Sequence, residues 1–173
     1  MRLLPLLLLA SSLLFADIQL PKNFQANFIQ KITNPKKQVI RYSGKVRFSD
    51  EKRFKWSYSK PTKKEVCSDG FELMVVDHDL EQVSIYRITN GLDIAKILKK
   101  ATVHSKNVYV ARYENKQYTI QVDSRQKLQS IAYFDDLDNK VQIVFKGMRY
   151  GKGKLPLKDM QCNFPRSYDM IRG

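Results

Sequence analysis

The sequence predicts a mainly β protein with short helices, and two observations carry that prediction. Large apolar residues alternate with polar ones, most clearly at Phe54, Trp56 and Tyr58, which puts three rings on one face of a strand. Turn-forming residues such as Asp, Asn and Gly separate the alternating segments at spacings typical of antiparallel strands. We therefore expect one β-rich domain over residues 17–173.

Other strands are predicted where apolar alternation recurs, at residues 46–48, 118–122 and 141–145. A shorter apolar run at residues 131–134 ends at a polar turn, and a last strand is expected near residues 162–164. The segment 71–76 does not alternate after Glu72, so both of its faces are apolar. Two explanations fit this pattern: a sheet covered on both faces, or a sheet whose concave face lines an apolar cavity.

One segment breaks the strand rhythm. Over residues 92–101, Ile94, Ile97, Leu98 and Ala101 recur at helical spacing, with lysines away from that face. The segment is predicted to be a short amphipathic helix inserted in a sheet protein. An aromatic stripe such as that of residues 54–58 is normally core, but it becomes a ligand surface if the helix that covers it can detach.

The first sixteen residues have the pattern of a secretory signal. Arg2 precedes an apolar run over residues 3–14, and Ala16 is a small residue suited to cleavage. The run is too short to cross a bilayer as a permanent helix, although an uncleaved membrane anchor is the rival interpretation. We expect an exported protein that is cleaved after Ala16.

The chain is strongly basic, with a formal net charge of +14 and a pI near 9.8. Arg2 is the only charged residue of the predicted signal, so cleavage lowers the net charge from +14 to +13. Such an excess favours anionic partners, which include acidic proteins, phospholipid surfaces and nucleic acid. Because the lysines are scattered and the protein is exported, no nucleic-acid partner is expected.

The sequence carries little that suggests catalysis. Asp77, His78 and Asp79 are adjacent, but neighbouring strand residues point to opposite faces, and no metal-ligand spacing links His78 to His104. We therefore predict no enzymatic activity, no metal and no cofactor. The two cysteines, Cys67 and Cys162, are either a disulfide or two buried thiols.

A set of motifs resembles one known family. Residues 54–58 read F-x-W-x-Y, and Pro61, a Ser-Asp-Gly turn at residues 68–70 and a Glu-Gln-Val close at residues 81–83 follow in order. Residues 24–30 read F-x-A-x-F-x-Q, as in the first strand of the same family. This order of motifs is similar to that of the LolA family of periplasmic lipoprotein carriers.

The resemblance implies an unclosed, strongly curved antiparallel β-barrel, or half-barrel, with a helical lid over a hydrophobic cavity. It implies a periplasmic chaperone that carries acylated lipoproteins from the inner to the outer membrane and uses no cofactor. The implied partners are an inner-membrane ATP-driven lipoprotein release complex and an outer-membrane receptor, or the outer membrane itself. We expect a monomer whose acyl-chain site is formed by Phe28, Phe54, Trp56, Tyr58, Met74, Val76, Ile94, Ile97 and Leu98.

The chain departs from the family pattern in two places. Asp50 and Glu51 stand where the family usually carries Arg-Pro, whose arginine is implied to hold the lid closed. Only residues 17–23 precede the first strand, so we expect a smaller lid than usual. The alternative function is a basic exported binding module of similar fold that docks an acidic protein or a glycan without carrying lipid.

Overall fold

The computed structural model describes Ile18 and residues 21–50, 52–87 and 94–172. The predicted signal peptide with its cleavage point, Glu51 and the first two residues of the predicted helix lie outside this part of the chain.

Strands dominate the described residues, and two short helices interrupt them. The strands are β1 (Asn23–Thr33), β2 (Val39–Ser49), β3 (Arg53–Lys60), β4 (Lys64–Ser68), β5 (Glu72–Asp77), β6 (Gln82–Arg87), β7 (Thr102–Ser105), β8 (Val108–Tyr113), β9 (Lys116–Val122), β10 (Leu128–Phe134), β11 (Lys140–Gly151) and β12 (Asp169–Arg172). The helices are α1 (Ile94–Lys99), between β6 and β7, and α2 (Leu157–Met160), between β11 and β12.

All twelve strands form one sheet, in the order β12-β6-β5-β4-β3-β2-β1-β11-β10-β9-β8-β7. The sheet is curved and does not close, because its two end strands, β12 and β7, do not pair with each other. Neighbouring strands are antiparallel, except that β12 runs parallel to β6. The predicted mainly β, unclosed and curved architecture is thereby confirmed.

The last strand differs from the prediction. Residues 162–164 form no strand, and the final strand lies instead at Asp169–Arg172. The backbone near residue 163 is bonded to a side chain rather than to a neighbouring strand, since the Asn163 N–H donates to Glu65 Oε2 at 2.9 Å. At this position a side-chain contact from β4 stands where strand pairing was predicted.

The two faces of the sheet differ in what they carry. We call the face that bears Phe28 and Trp56 the inner face, and the opposite one the outer face. Inner-face side chains from β1, β2, β3 and β8–β11 join the buried residues of α1 in one hydrophobic cluster. Phe28 and Ile97 are 1% and 0% exposed, so this cluster is the core of the protein.

Gly44 permits the closest approach within that core. A Cβ atom at this position would lie 2.0 Å from the Ser57 backbone oxygen and 2.9 Å from the ring of Phe28. Only a residue without a side chain fits between β3 and the ring of Phe28, which explains a glycine in the middle of β2.

A strap over residues 152–168 crosses the outer face after β11. Its polar contacts follow the chain in order, beginning with Asn23 Nδ2, which donates to Gly153 O at 2.7 Å. Further contacts are from Leu155 N to Ser49 Oγ (3.0 Å), from Arg47 Nη1 to Asp159 O (3.4 Å) and from Lys55 Nζ to Gln161 O (2.7 Å). The strap thus passes from β1 to β4 before β12 joins the sheet edge, which brings β12 in parallel to β6.

A disulfide joins the strap to the sheet. Cys67 of β4 is bonded to Cys162, which leaves no free cysteine in the described residues. Next to it, Lys55 Nζ lies 2.9 Å from Glu65 Oε1, and the Lys55 side chain is only 6% exposed. The outer face is therefore covered over β3 and β4 by a covalently attached segment with a buried ion pair beneath it.

In the part of the chain that the structure describes, none of the helices has the length and apolar character needed to span a bilayer.

Candidate functional site

The candidate site is the aromatic surface at the centre of the inner face. The Phe28 ring lies edge-on to Trp56 and Tyr58, with centroid separations of 4.8 and 5.0 Å. The Trp56 ring also approaches Phe145 of β11, at 6.1 Å. Edge-to-face packing of this kind adds about 0.5–1.5 kcal/mol per pair beyond the buried area. Phe54, on the same face of β3, is half-buried and packs against the same cluster.

One end of this surface is polar. The Tyr58 hydroxyl donates to Gln30 Oε1 at 3.2 Å, and the Tyr42 ring packs edge-on to Tyr58 at 5.8 Å. Burial, followed by the neighbouring Tyr133 and Tyr42 hydroxyls, raises the pKa of Tyr58 well above its usual range. The Tyr58 phenol therefore stays neutral at physiological pH and offers a hydrogen bond but no charge.

Helix α1 packs into the inner-face cluster. Since β6 and β7 lie at or next to opposite edges of the sheet, the connection between them has to cross from one edge to the other. Within that connection, Ile94, Ala95, Ile97 and Leu98 are buried in the inner-face cluster, and the helix contacts β8. Ile94, Ile97 and Leu98, which the sequence placed in the site, are therefore brought to the aromatic surface.

Comparison with known proteins decides the family. The family model described as outer membrane lipoprotein carrier protein LolA matches residues 20–154. A Campylobacter jejuni outer-membrane lipoprotein carrier protein is 34% identical over 149 residues, which covers 86% of each chain. The chain belongs to the LolA family.

Other relatives agree with this assignment. An outer-membrane lipoprotein carrier protein from Wolinella succinogenes is 28% identical over 124 residues, or 72% of each chain. Among solved structures, a LolA superfamily protein from Nitrosomonas europaea matches with a TM-score of 0.51 and 12% identity, over 84% of this chain and 93% of that one. An uncharacterised conserved protein from Thermus thermophilus gives a TM-score of 0.58 at 10% identity, over 89% and 92% of the two chains. These two structural matches show a shared fold.

Two predicted site residues of this LolA-family chain lie elsewhere. Trp56 is paired with Val66, and Val66 with Val75, so Val75 shares the inner face. Met74 and Val76 alternate with Val75 and therefore point to the outer face, beneath the strap. The Cys162 sulfur indeed lies 3.9 Å from the Met74 carbonyl oxygen. Sequence alone could not place them, because segment 71–76 is apolar on both faces.

Residues that the sequence analysis did not assign to the site complete the inner face. They come from β8–β11, where strands were predicted at residues 118–122, 131–134 and 141–145 but the face of each side chain was not. The buried members are Tyr109, Ala111, Tyr118, Ile120, Val122, Leu128, Ile131, Val141, Ile143 and Phe145.

The two arginines nearest in sequence to Asp50 make contacts that do not involve α1. Arg53 pairs with Asp50 three residues before it, and Arg47 donates to the carbonyl of Asp159 on the outer face. Within the described residues, α1 is held against the sheet chiefly by its four buried apolar side chains.

The acidic and histidine residues near the end of β5 act as turn residues. Asp77 Oδ1 accepts from the backbone N–H groups of Asp79 and Leu80, both at 3.2 Å, and Asp77 Oδ2 pairs with Lys64 at 3.0 Å. His78 Nδ1 lies 3.2 Å from the Tyr168 hydroxyl. His104 lies on β7, at the other end of the sheet, so the structure does not bring the two histidines together.

Proposed function

We propose that the protein is a periplasmic chaperone that carries acylated lipoproteins from the inner to the outer membrane. The acyl chains would be shielded between the inner face of the sheet and α1. The proposal is supported by membership in the LolA family and by relatives named outer-membrane lipoprotein carrier proteins. The observation that carries it is the aromatic inner face, which shares one hydrophobic cluster with a helix of only six residues.

The chemistry of this surface suits an acyl chain. Hydrocarbon makes only dispersion and hydrophobic contacts, and each methylene removed from water contributes about 0.8 kcal/mol. Phe28, Trp56, Ile97 and Leu98 all belong to the apolar cluster that can offer such contacts. Cargo would replace the contacts of α1 with its own, so part of the binding free energy offsets the opening of the lid and keeps the carriage reversible.

We further propose that cargo arrives from an ATP-driven release complex of the inner membrane and leaves to a receptor at the outer membrane or to the membrane itself. The transfer requires no covalent change, so we assign no catalytic residue, metal or cofactor. The cleavable signal at residues 1–16 would deliver the chain to the periplasm.

Replacing Ile97 by Asp tests the site. A charge at this position would keep α1 from closing, because an unpaired buried charge is very costly. We expect a folded sheet that no longer retains lipoprotein when the tagged protein is purified from periplasm. The control is Leu157→Asp, the same kind of change at a 60%-exposed position on the outer strap, which should retain cargo.

Three results would contradict the proposal. Normal cargo retention by the Ile97→Asp variant would remove α1 from the site, and unfolding of the sheet would assign α1 to ordinary core. Depletion of the protein with outer-membrane lipoproteins still correctly placed would instead favour a basic binding module without lipid cargo. Far-ultraviolet circular dichroism separates unfolding from loss of binding.

A further inference from the structure

A cationic cleft lies on the outer face, away from the strap's disulfide and from α1. It has a volume of about 280 Å³ and is lined by Gln25, Ala26, Asn27, Lys45, Val46, Arg47, Gly147 and Arg149. Strand pairing sets the positions of its polar groups: Gln25 of β1 lies opposite Arg47 on one side and Arg149 on the other. Asn27 is flanked in the same way by Lys45 and Lys146.

No acidic residue belongs to the strands that build this cleft. The sequences of β1, β2 and β11 contain neither Asp nor Glu. Within the described residues, ion pairs join Arg53 and Lys154 to Asp50, Lys55 to Glu65, Lys64 to Asp77 and Lys116 to Asp136, and none of them involves a cation of the cleft. The positive charge here is therefore not neutralised by these pairs.

The local backbone keeps the cleft open. The pairing of β1 with β11 shifts register between Gln25 and Asn27, which is a β-bulge. Across from it, Gly147 has φ +63°, and a Cβ atom there would meet nothing within 4 Å. The strap touches only the edge of the cleft, where Asp159 offers its carbonyl oxygen to Arg47. An anion can therefore reach the cations from solvent.

We propose that this cleft and the sheet surface around it dock the protein on an anionic phospholipid membrane, with a headgroup phosphate in the cleft. Arginine and lysine are the side chains that proteins use for phosphate, and the amides of Gln25 and Asn27 add hydrogen-bond donors between the cations. The volume suits a single phosphate-bearing headgroup, since sites for drug-sized ligands measure roughly 300–1,000 Å³.

The composition of the surrounding surface favours a membrane over an acidic protein. Beside the cleft on the same face, Ile29 of β1 lies opposite Val144 of β11. These two side chains are 36% and 39% exposed. Exposed aliphatic groups beside lysine and arginine suit the boundary between headgroups and acyl chains. Protein interfaces, by contrast, are enriched in aromatic residues and depleted of lysine.

Docking in this orientation leaves the proposed cargo site accessible. The cleft opens on the outer face of the sheet, whereas α1 covers the inner face. The proposal therefore goes beyond lipoprotein carriage and does not depend on it.

Vesicle flotation with the mature protein tests the proposal. We expect binding to vesicles that mix phosphatidylglycerol with phosphatidylcholine, weak binding to phosphatidylcholine alone, and release by salt. The variant Lys45→Gln/Arg47→Gln/Arg149→Gln should bind the anionic vesicles on the order of a hundredfold less tightly, at about fivefold per cation near the surface.

A matched control removes the same charge elsewhere. Lys36→Gln/Lys106→Gln/Arg125→Gln changes three exposed cations in hairpin turns and should bind vesicles nearly as the parent does. Because Arg47 also contacts the strap, the double variant Lys45→Gln/Arg149→Gln leaves that contact intact. Its expected loss is roughly thirtyfold.

Equal losses in the cleft and control variants would overturn the proposal, since they would show a response to net charge alone. Unchanged vesicle binding by the double variant would overturn it as well. If the parent bound a poly-glutamate peptide through the cleft but failed to bind anionic vesicles, the partner would be an acidic protein and the membrane assignment would be wrong.

Discussion

The inner and outer faces of the sheet are covered in different ways. On the inner face, α1 is held by apolar side chains, of which Ile97 and Leu98 are almost completely buried. On the outer face, the strap is held by a disulfide at Cys67, by a buried ion pair at Lys55 and by backbone hydrogen bonds. A cover whose buried contacts are apolar can be exchanged for another apolar surface, whereas a covalently attached cover cannot.

This difference indicates which side of the molecule is built to open. Displacing α1 exposes the apolar surface that its four buried side chains cover, and an acyl chain can cover that surface again. Displacing the strap would require breaking a covalent bond and would leave Lys55 and Glu65 without the strap groups that complete their hydrogen bonds. We therefore interpret the inner face as the exchangeable side and the outer face as the fixed side.

The largest expected effect comes from a charge placed within the inner face itself. Trp56→Asp should unfold the protein, since it removes a ring that is 93% buried and leaves an unpaired carboxylate in its place. The expected cost exceeds about 5 kcal/mol, which is comparable with the whole stability of a typical domain. Loss of the far-ultraviolet circular dichroism signal of the sheet would show the unfolding.

Ser57→Asp is the control, because the adjacent position points to the outer face. It should leave the fold intact. A folded Trp56→Asp protein would show that the sheet does not depend on the packing of this ring in the closed form.

The disulfide that attaches the strap should contribute nearly as much to the free energy of unfolding. The disulfide joins residues 95 positions apart, and closing a loop of this length stabilises a protein by about 4–5 kcal/mol in the chain-entropy model. Cys67→Ser/Cys162→Ser should lower the free energy of unfolding in urea by about that amount. The parent protein unfolded in urea with a reductant provides the comparison.

Thiol labelling of the denatured, unreduced protein checks the same bond directly. Two reactive thiols per chain would contradict the covalent attachment of the strap and the comparison drawn from it.

The buried ion pair of the outer face should show an intermediate effect. In Lys55→Met, Gln161 O loses its donor and Glu65 loses its cation, at an expected cost of about 1.5–3 kcal/mol. Lys64→Met removes a more exposed cation, 36% accessible, and should cost less than about 1 kcal/mol. Equal costs for the two variants in urea denaturation would show that burial under the strap adds nothing.

The smallest effect concerns the polar end of the inner face. Burial, with a further contribution from Tyr118 and Asp135, raises the pKa of Tyr133 to about 12, and the pKa of Tyr58 is raised as well. Both folded-state pKa values exceed the unfolded value of about 10. The contribution of these neutral phenols to the free energy of unfolding is therefore fully present below pH 10 and is lost as the pH rises toward 12.

The urea midpoint should therefore fall progressively above about pH 10. In Tyr58→Phe/Tyr133→Phe the fall should be shallower, because the phenols that resist ionisation are gone. An identical pH profile for the parent and the double variant would assign the alkaline loss to other groups.

Much of the architecture could be predicted from residue patterns within single segments. The alternation of Phe54, Trp56 and Tyr58 placed these rings on one face of β3. The spacing of Ile94, Ile97 and Leu98 predicted a helix, and α1 spans Ile94–Lys99 in the structure. These features depend on the local periods of two and 3.6 residues, which are properties of the chain itself. The motifs at residues 24–30 and 54–83 were likewise sufficient to indicate the family.

The relation between segments was decided only by the tertiary structure. Met74 and Val76 point outward because the register of β5 against β4 sets their face, and a shift of one residue would reverse it. The cationic cleft exists because Arg47 and Arg149, about a hundred residues apart in sequence, meet on either side of β1. Alternation determines which side chains of one strand share a face, but pairing between distant strands determines which of those faces become one surface.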